Sequence, residues 1–185
     1  MENTYRLLSR TEVYRNPWIR VREDRVQQEV GAPRAFGVVD MKSGSSTLAV
    51  MPDHSVILVR EFKYAIGRPS LEVISGAIEE GEQPLEAARR ELVEEAGLVA
   101  REWIGMGAID PFTTVVNSPN YLFLALGAEQ RAETSPDPGE VLHSVRLPFT
   151  EALEQMIRGE ITHGASCVLL LKAERYFRDV CPGIL

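Results

Sequence analysis

Residues 72–98 read EVISGAIEEGEQPLEAARRELVEEAGL, and the rest of the chain is organised around this stretch. Pro84 suits a first helical turn, where no N–H is required, and Gly97 suits the position just past a helix end. Between them Leu85, Ala88, Leu92 and Ala96 recur at helical spacing. At about 100° per residue they form a narrow stripe able to face a core. Glu91, Glu94 and Glu95 fall on the adjoining side, with Ala87 leaving room beside them. The spacing predicts an amphipathic helix with a dense acidic flank.

Such a flank is unfavourable by itself. Like charges four apart, such as Glu91 and Glu95, cost a helix about 0.2–0.5 kcal/mol in solvent. The cost grows where neighbouring protein excludes water. A hard divalent cation reverses the sign, because Mg²⁺ or Mn²⁺ prefers carboxylate oxygens. Glu82, in the loop before the helix, adds a fourth acid, and Gly76 and Gly81 let that loop bend back over the helix N-terminus. Three glutamates alone fit a solvated helix face equally well.

The full string is more specific. Gly76, five residues, Glu82, seven residues, and then Arg90-Glu91-Leu92-Val93-Glu94-Glu95-Ala96-Gly97-Leu98 resembles the Nudix box at each of its fixed positions. The resemblance implies an α/β fold, an α/β/α sandwich with a mixed sheet, preceded by N-terminal antiparallel strands. The N-terminal strands, Arg60–Tyr64, the entry Glu72–Gly76 and Gly139-Glu140-Val141 look like the ADP-ribose pyrophosphatase branch. In that branch the N-terminal strands often pack across a two-fold axis, which implies a homodimer.

Composition is consistent with this reading. A chain of 185 residues with 44% hydrophobic content can bury a sizeable core. A formal charge of −7 argues against broad binding to nucleic acid or anionic membranes. No run approaches the ~18 apolar residues of a membrane span, and Met1–Arg10 lacks an apolar signal core. The expectation is a cytoplasmic protein acting on a small molecule, with neither nucleic acid nor membrane as partner. Cys167 and Cys181 have no metal-ligand spacing. His54, His143 and His163 are isolated in sequence and read as structural or surface residues.

Along the chain, partial period-two alternation predicts strands over 4–14 and 18–26, and the turn Gly31–Pro33 leads into a third over 35–41. The polar run Lys42–Ser46 reads as a connection between a β-strand region, 1–46, and a main domain, 47–185. Further strands are expected at 48–51, 56–59, 71–74, 103–109, 121–126 and 141–147. Segments 110–120 and 128–140 read as loops. Thr150 and Thr162 are candidate caps for two closing helices, over 151–158 and 162–177.

The resemblance also implies roles. Glu91 and Glu95 are the prime metal ligands, Glu94 is a ligand or a holder of metal-bound water, and Glu82 and the Ala77 carbonyl complete the shell around Mg²⁺, with Mn²⁺ as substitute. Arg90 orients a carboxylate. Glu140 is the expected general base, Glu133 the alternative, and a box glutamate the third choice. Arg60 and Lys63 are candidates for phosphate, Phe36 and Trp18 for a nucleobase, and Glu72 for the nucleotide or the metal. Cleavage of ADP-ribose to AMP and ribose 5-phosphate is the leading expectation. Segment 110–120 departs from the branch in its prolines, Pro111 and Pro119, which keeps other nucleoside diphosphate sugars and dinucleotides open. A non-catalytic nucleotide-binding module is the remaining alternative.

Overall fold

The computed structural model describes residues 4–131, 133–135 and 141–180. In chain order the strands are β1 (Arg6–Arg15), β2 (Ile19–Gln27), β3 (Arg34–Met41), β4 (Gly44–Val50), β5 (Ser55–Lys63), β6 (Arg68–Glu72) and β7 (Ile74–Ala77). Helix α1 (Pro84–Ala96) follows, then β8 (Leu98–Val99), β9 (Glu102–Ile109), β10 (Val116–Asn117), β11 (Asn120–Leu126), β12 (Glu129–Gln130) and β13 (His143–Pro148). Helices α2 (Phe149–Ile157) and α3 (Gly164–Val180) come last. The chain forms two compact units, Met1–Ser43 with Asp110–Pro119, and Gly44–Ile109 with Asn120–Leu185.

The first unit is a sheet in the order β1-β2-β3-β10, antiparallel except that β10 runs parallel to β3. Side chains alternate across a strand, so Arg20, Arg22 and Asp24 of β2 share one face. Asp24 takes a bidentate pair from Arg10 at 2.8 Å and is also bonded by Arg22. Asp40 on β3 accepts from Arg22 at 2.9 Å, Arg20 at 2.8 Å and the Asn117 amide of β10 at 3.0 Å. Burial opposes the charge on Asp40, but these donors outweigh it and hold its carboxyl well below the usual range.

The second unit is built on a seven-stranded mixed sheet along β13-β5-β4-β11-β9, with β4 and β11 parallel. Strands β4 and β5 pair at only two positions, Ala49 with Ile57 and Val50 with Val56. Beyond these β4 pairs with β7 and β5 with β6, so the sheet opens and the segment 68–77 fills the gap. Alternation divides the buried residues between two faces. Leu48, Val50, Val56, Leu58, Leu122 and Leu124 pack with Phe149, Leu169, Leu170 and Phe177 of α2 and α3. Ala49, Ile57, Val59, Ile74 and Ala125 pack with Leu92 and Ala96 of α1. Helices thus cover both faces of a mixed sheet, as the sequence implied.

Several local expectations are corrected. Gly44–Ser46, read as part of a connection, belongs to a central strand, with Ser45 and Ser46 both buried. Residues 71–74 are not one strand but the end of β6 and the start of β7. Part of 110–120 is β10, and Glu129–Gln130 pairs with β8. Thr150 lies inside α2, which starts after Pro148, and the Thr162 hydroxyl accepts from Arg68 at 2.9 Å instead of capping α3.

Candidate active site

Helix α1 has the predicted boundaries. Pro84 is its first residue, Gly97 closes it at φ +65°, and Gln83 and Glu86 form a reciprocal capping box. Caps of this kind contribute about 1 kcal/mol. Leu92, Ala88 and Ala96 are buried as expected, whereas Leu85 is only partly buried. Ala87 and Glu95 are buried too, which widens the inward face on its acidic side.

Arg90 gathers the acids. Its Nε donates to Glu82 Oε1 at 3.0 Å, and its Nη2 to Glu82 Oε2 at 3.1 Å and to the Ala77 carbonyl at 2.9 Å. Its Nη1 donates to Glu91 Oε1 at 2.6 Å and Glu94 Oε2 at 2.9 Å. The fork geometry of a guanidinium makes one side chain sufficient for this. The Glu82 bond and the other carboxylates raise the Arg90 pKa further, and Arg90, with the Glu79 N–H, holds Glu82 below the usual carboxylate range. Gly76 is required beneath them: a Cβ there would lie 1.9 Å from the Glu91 carboxylate.

Glu95 stands apart, its Oε2 3.4 Å from the Ser75 N–H. Lys63, at the end of β5, bonds Glu61 and lies 3.9 Å from Glu72. Burial opposes its charge, but Glu61, Glu72 and Glu95 outweigh that and raise its pKa. His163, expected to be isolated, sits with Nδ1 3.4 Å from Glu72 Oε2 and 2.9 Å from Ser166 Oγ. Sequence could not reveal this, because strand β6 and the start of α3 meet only in the fold. A single histidine before a helix carries no signal of a partner on β6.

The structure therefore brings together Ala77, Glu82, Arg90, Glu91 and Glu94, and separately Lys63, Glu72 and Glu95. Arg60 is exposed on β5. Phe36 and Trp18 belong to the first unit, where Phe36 packs edge-on against Tyr5 at 5.6 Å and Trp18 is exposed. Glu133 is exposed, and Glu140 lies outside the described residues. Among the described residues no three Asp, Glu, His or Cys side chains stand in metal-ligating geometry. The donors that Arg90 gathers are all carboxylate or carbonyl oxygens, the chemistry a hard divalent cation selects, and Gly76 leaves the space the Glu91 carboxylate occupies. The donor set fits such an ion.

The NUDIX domain family matches residues 41–164, and the nucleoside diphosphate sugar hydrolase N-terminal domain family matches residues 5–39. The chain is 24% identical to an ADP-ribose pyrophosphatase of Mycobacterium tuberculosis, over 88% of this chain and 79% of that protein. It is 28% identical to a GDP-mannose pyrophosphatase of Yersinia enterocolitica, over 74% of this chain and 76% of that protein. A crystal structure described as an ADP compounds hydrolase superposes with a TM-score of 0.86 at 20% identity, covering 99% of this chain and 98% of the other, and so has the same fold.

Proposed function

The chain belongs to the Nudix family of hydrolases, and on that premise we propose that it cleaves the pyrophosphate bond of a nucleoside diphosphate joined to a second moiety, with ADP-ribose first among candidates and AMP and ribose 5-phosphate as products. The observation that carries the proposal is the convergence of Glu82, Glu91, Glu94 and the Ala77 carbonyl on Arg90. One positive group is here shared by three carboxylates.

Glu82, Glu91, Glu94, Glu95 and the Ala77 carbonyl would hold Mg²⁺, or Mn²⁺ in its place. When bound, such an ion lowers the pKa of a water and neutralises phosphate oxygens. Arg90 keeps the acids in register when the ion is absent. Lys63 and Arg60 are the candidates for a substrate phosphate, and Glu72, with Lys63 and His163 beside it, is the candidate acceptor for a nucleotide hydroxyl or base. Glu140 remains the first choice for general base, with Glu133 second.

The matches to a nucleoside diphosphate sugar hydrolase N-terminal domain and to a GDP-mannose pyrophosphatase favour a second reading, in which the substrate is another nucleoside diphosphate sugar. A panel of ADP-ribose, nucleoside diphosphate sugars and dinucleotides, incubated with Mg²⁺ and resolved by chromatography, separates the two. AMP from ADP-ribose at the highest kcat/KM supports the first reading, and no metal-dependent product from any compound removes both. A homodimer through the first unit belongs to the same proposal, supported by its exposed Val13, Tyr14 and Trp18, and light scattering tests it. So does a cytoplasmic location; among the described residues no helix is long and apolar enough to cross a membrane.

A further inference from the structure

Strand β4 carries a buried polar group that bonds nothing among the described residues. The Ser45 hydroxyl is buried and has no hydrogen-bond partner among the described residues, although Ser46, its neighbour, bonds the Ser75 hydroxyl at 2.9 Å. A buried hydroxyl left unpaired costs about 1–3 kcal/mol, so its retention calls for a reason.

Register locates it. Ser45 is paired with Gly76 across the β4–β7 ladder and with Tyr121 across β4–β11. Ala49 and Ile74 put the odd positions of β4 and their partners on the α1 face, so Ser45 faces α1 as well. On that face the position a Gly76 side chain would take is filled by the Glu91 carboxylate. Directly opposed Cβ atoms in an antiparallel pair are about 4.5–5.5 Å apart. The Glu91 carboxylate therefore stands where the side chain opposite Ser45 would be, yet the two do not bond, and Arg90 Nη1 serves Glu91 instead.

We propose that Ser45 is a positioning residue for Glu91: its hydroxyl is the donor reserved for the Glu91 carboxylate when that carboxylate turns from Arg90 to a divalent cation. The inference rests on the proposed metal-dependent function. It assigns Ser45 a cost in the metal-free protein and a gain in the metal-bound one, whereas a merely structural hydroxyl would contribute equally to both.

The test is a double-mutant cycle read by Mn²⁺ binding, followed through the paramagnetic signal of the free ion, with Ser45→Ala made in the wild-type and Glu91→Gln backgrounds. Ser45→Ala is expected to leave the metal-free Tm unchanged or higher. It should weaken Mn²⁺ binding about tenfold, the worth of one hydrogen bond to a charged group, and cause no further loss when Glu91 is already Gln. Unchanged Mn²⁺ affinity in Ser45→Ala, or the same fold loss in both backgrounds, would overturn the assignment while the metal site itself stands. If the wild-type protein binds no Mn²⁺, the functional proposal fails as well.

Discussion

Each unit of the molecule contains a cluster of arginine and carboxylate side chains, and the two are composed in opposite ways. In the first unit Arg10, Arg20 and Arg22 share Asp24 and Asp40, so the acids are fully engaged and positive charge is left over. On α1 the single Arg90 serves Glu82, Glu91 and Glu94, and negative charge is left over. The first arrangement is complete as it stands and braces a sheet that has little apolar core of its own. On the function proposed above, the second is completed by a cation the chain does not supply. Stoichiometry, rather than the mere presence of charge, separates the brace from the site.

The largest expected effect breaks the site and spares the fold. Glu94→Gln or Glu95→Gln should lower turnover by roughly 10²–10⁴-fold, the span of positioned acid–base and metal-holding groups, with an unchanged circular dichroism spectrum. Wild-type rates in both variants would remove the site. Gly76→Ala comes next. The three atoms nearest the added methyl belong to the far end of the flexible Glu91 side chain, so Tm should move little while the carboxylate is displaced and Mg²⁺ no longer raises Tm. A large drop in metal-free Tm would mean that the carboxylate cannot yield.

The corresponding change in the first unit should have the reverse profile. Asp40→Asn leaves guanidinium groups short of an acceptor and should cost about 1–3 kcal/mol of stability in denaturant titration, with turnover of the folded protein near wild type. Because the folded pKa of Asp40 is depressed, its contribution is present above the ordinary carboxylate range and is lost as pH falls through the folded value. The smallest effect concerns His163. Burial, with Lys63 adding and Glu72 opposing, lowers its pKa from 6.5. The unfolded chain then takes the proton first, so stability declines as pH drops through about 6.5 and levels off below the folded value. His163→Gln should flatten that part of a Tm-against-pH curve, and an unaltered slope would show that the imidazole does not contribute to it.

Features set by neighbouring residues were legible in the sequence. The ends of α1 follow from Pro84 and Gly97, and its buried side from Leu92 and Ala96. β5 and β11 follow from the apolar runs 56–59 and 121–126. Features set by distant partners were not. Gly44–Ser46 has the composition of a connection, and only its pairing with β7 and β11 makes it a strand. Val116–Asn117 is a strand only because β3 lies beside it. The Nudix box marked its acids from local spacing alone, whereas the contact of Glu72 with His163 spans most of the domain and had no sequence signal.

The break between β6 and β7 has a mechanical consequence. At Val73 the N–H is held at 2.9 Å by the Ser166 hydroxyl of α3, on one side of the sheet. Two residues later the Ser75 N–H faces Glu95 of α1, on the other side. The segment acts as a rivet through the sheet, fastening the rear helix to the front one across three residues. Helix α3, which carries none of the acids gathered by Arg90, is thereby tied through Val73–Ser75 to Glu95 of α1.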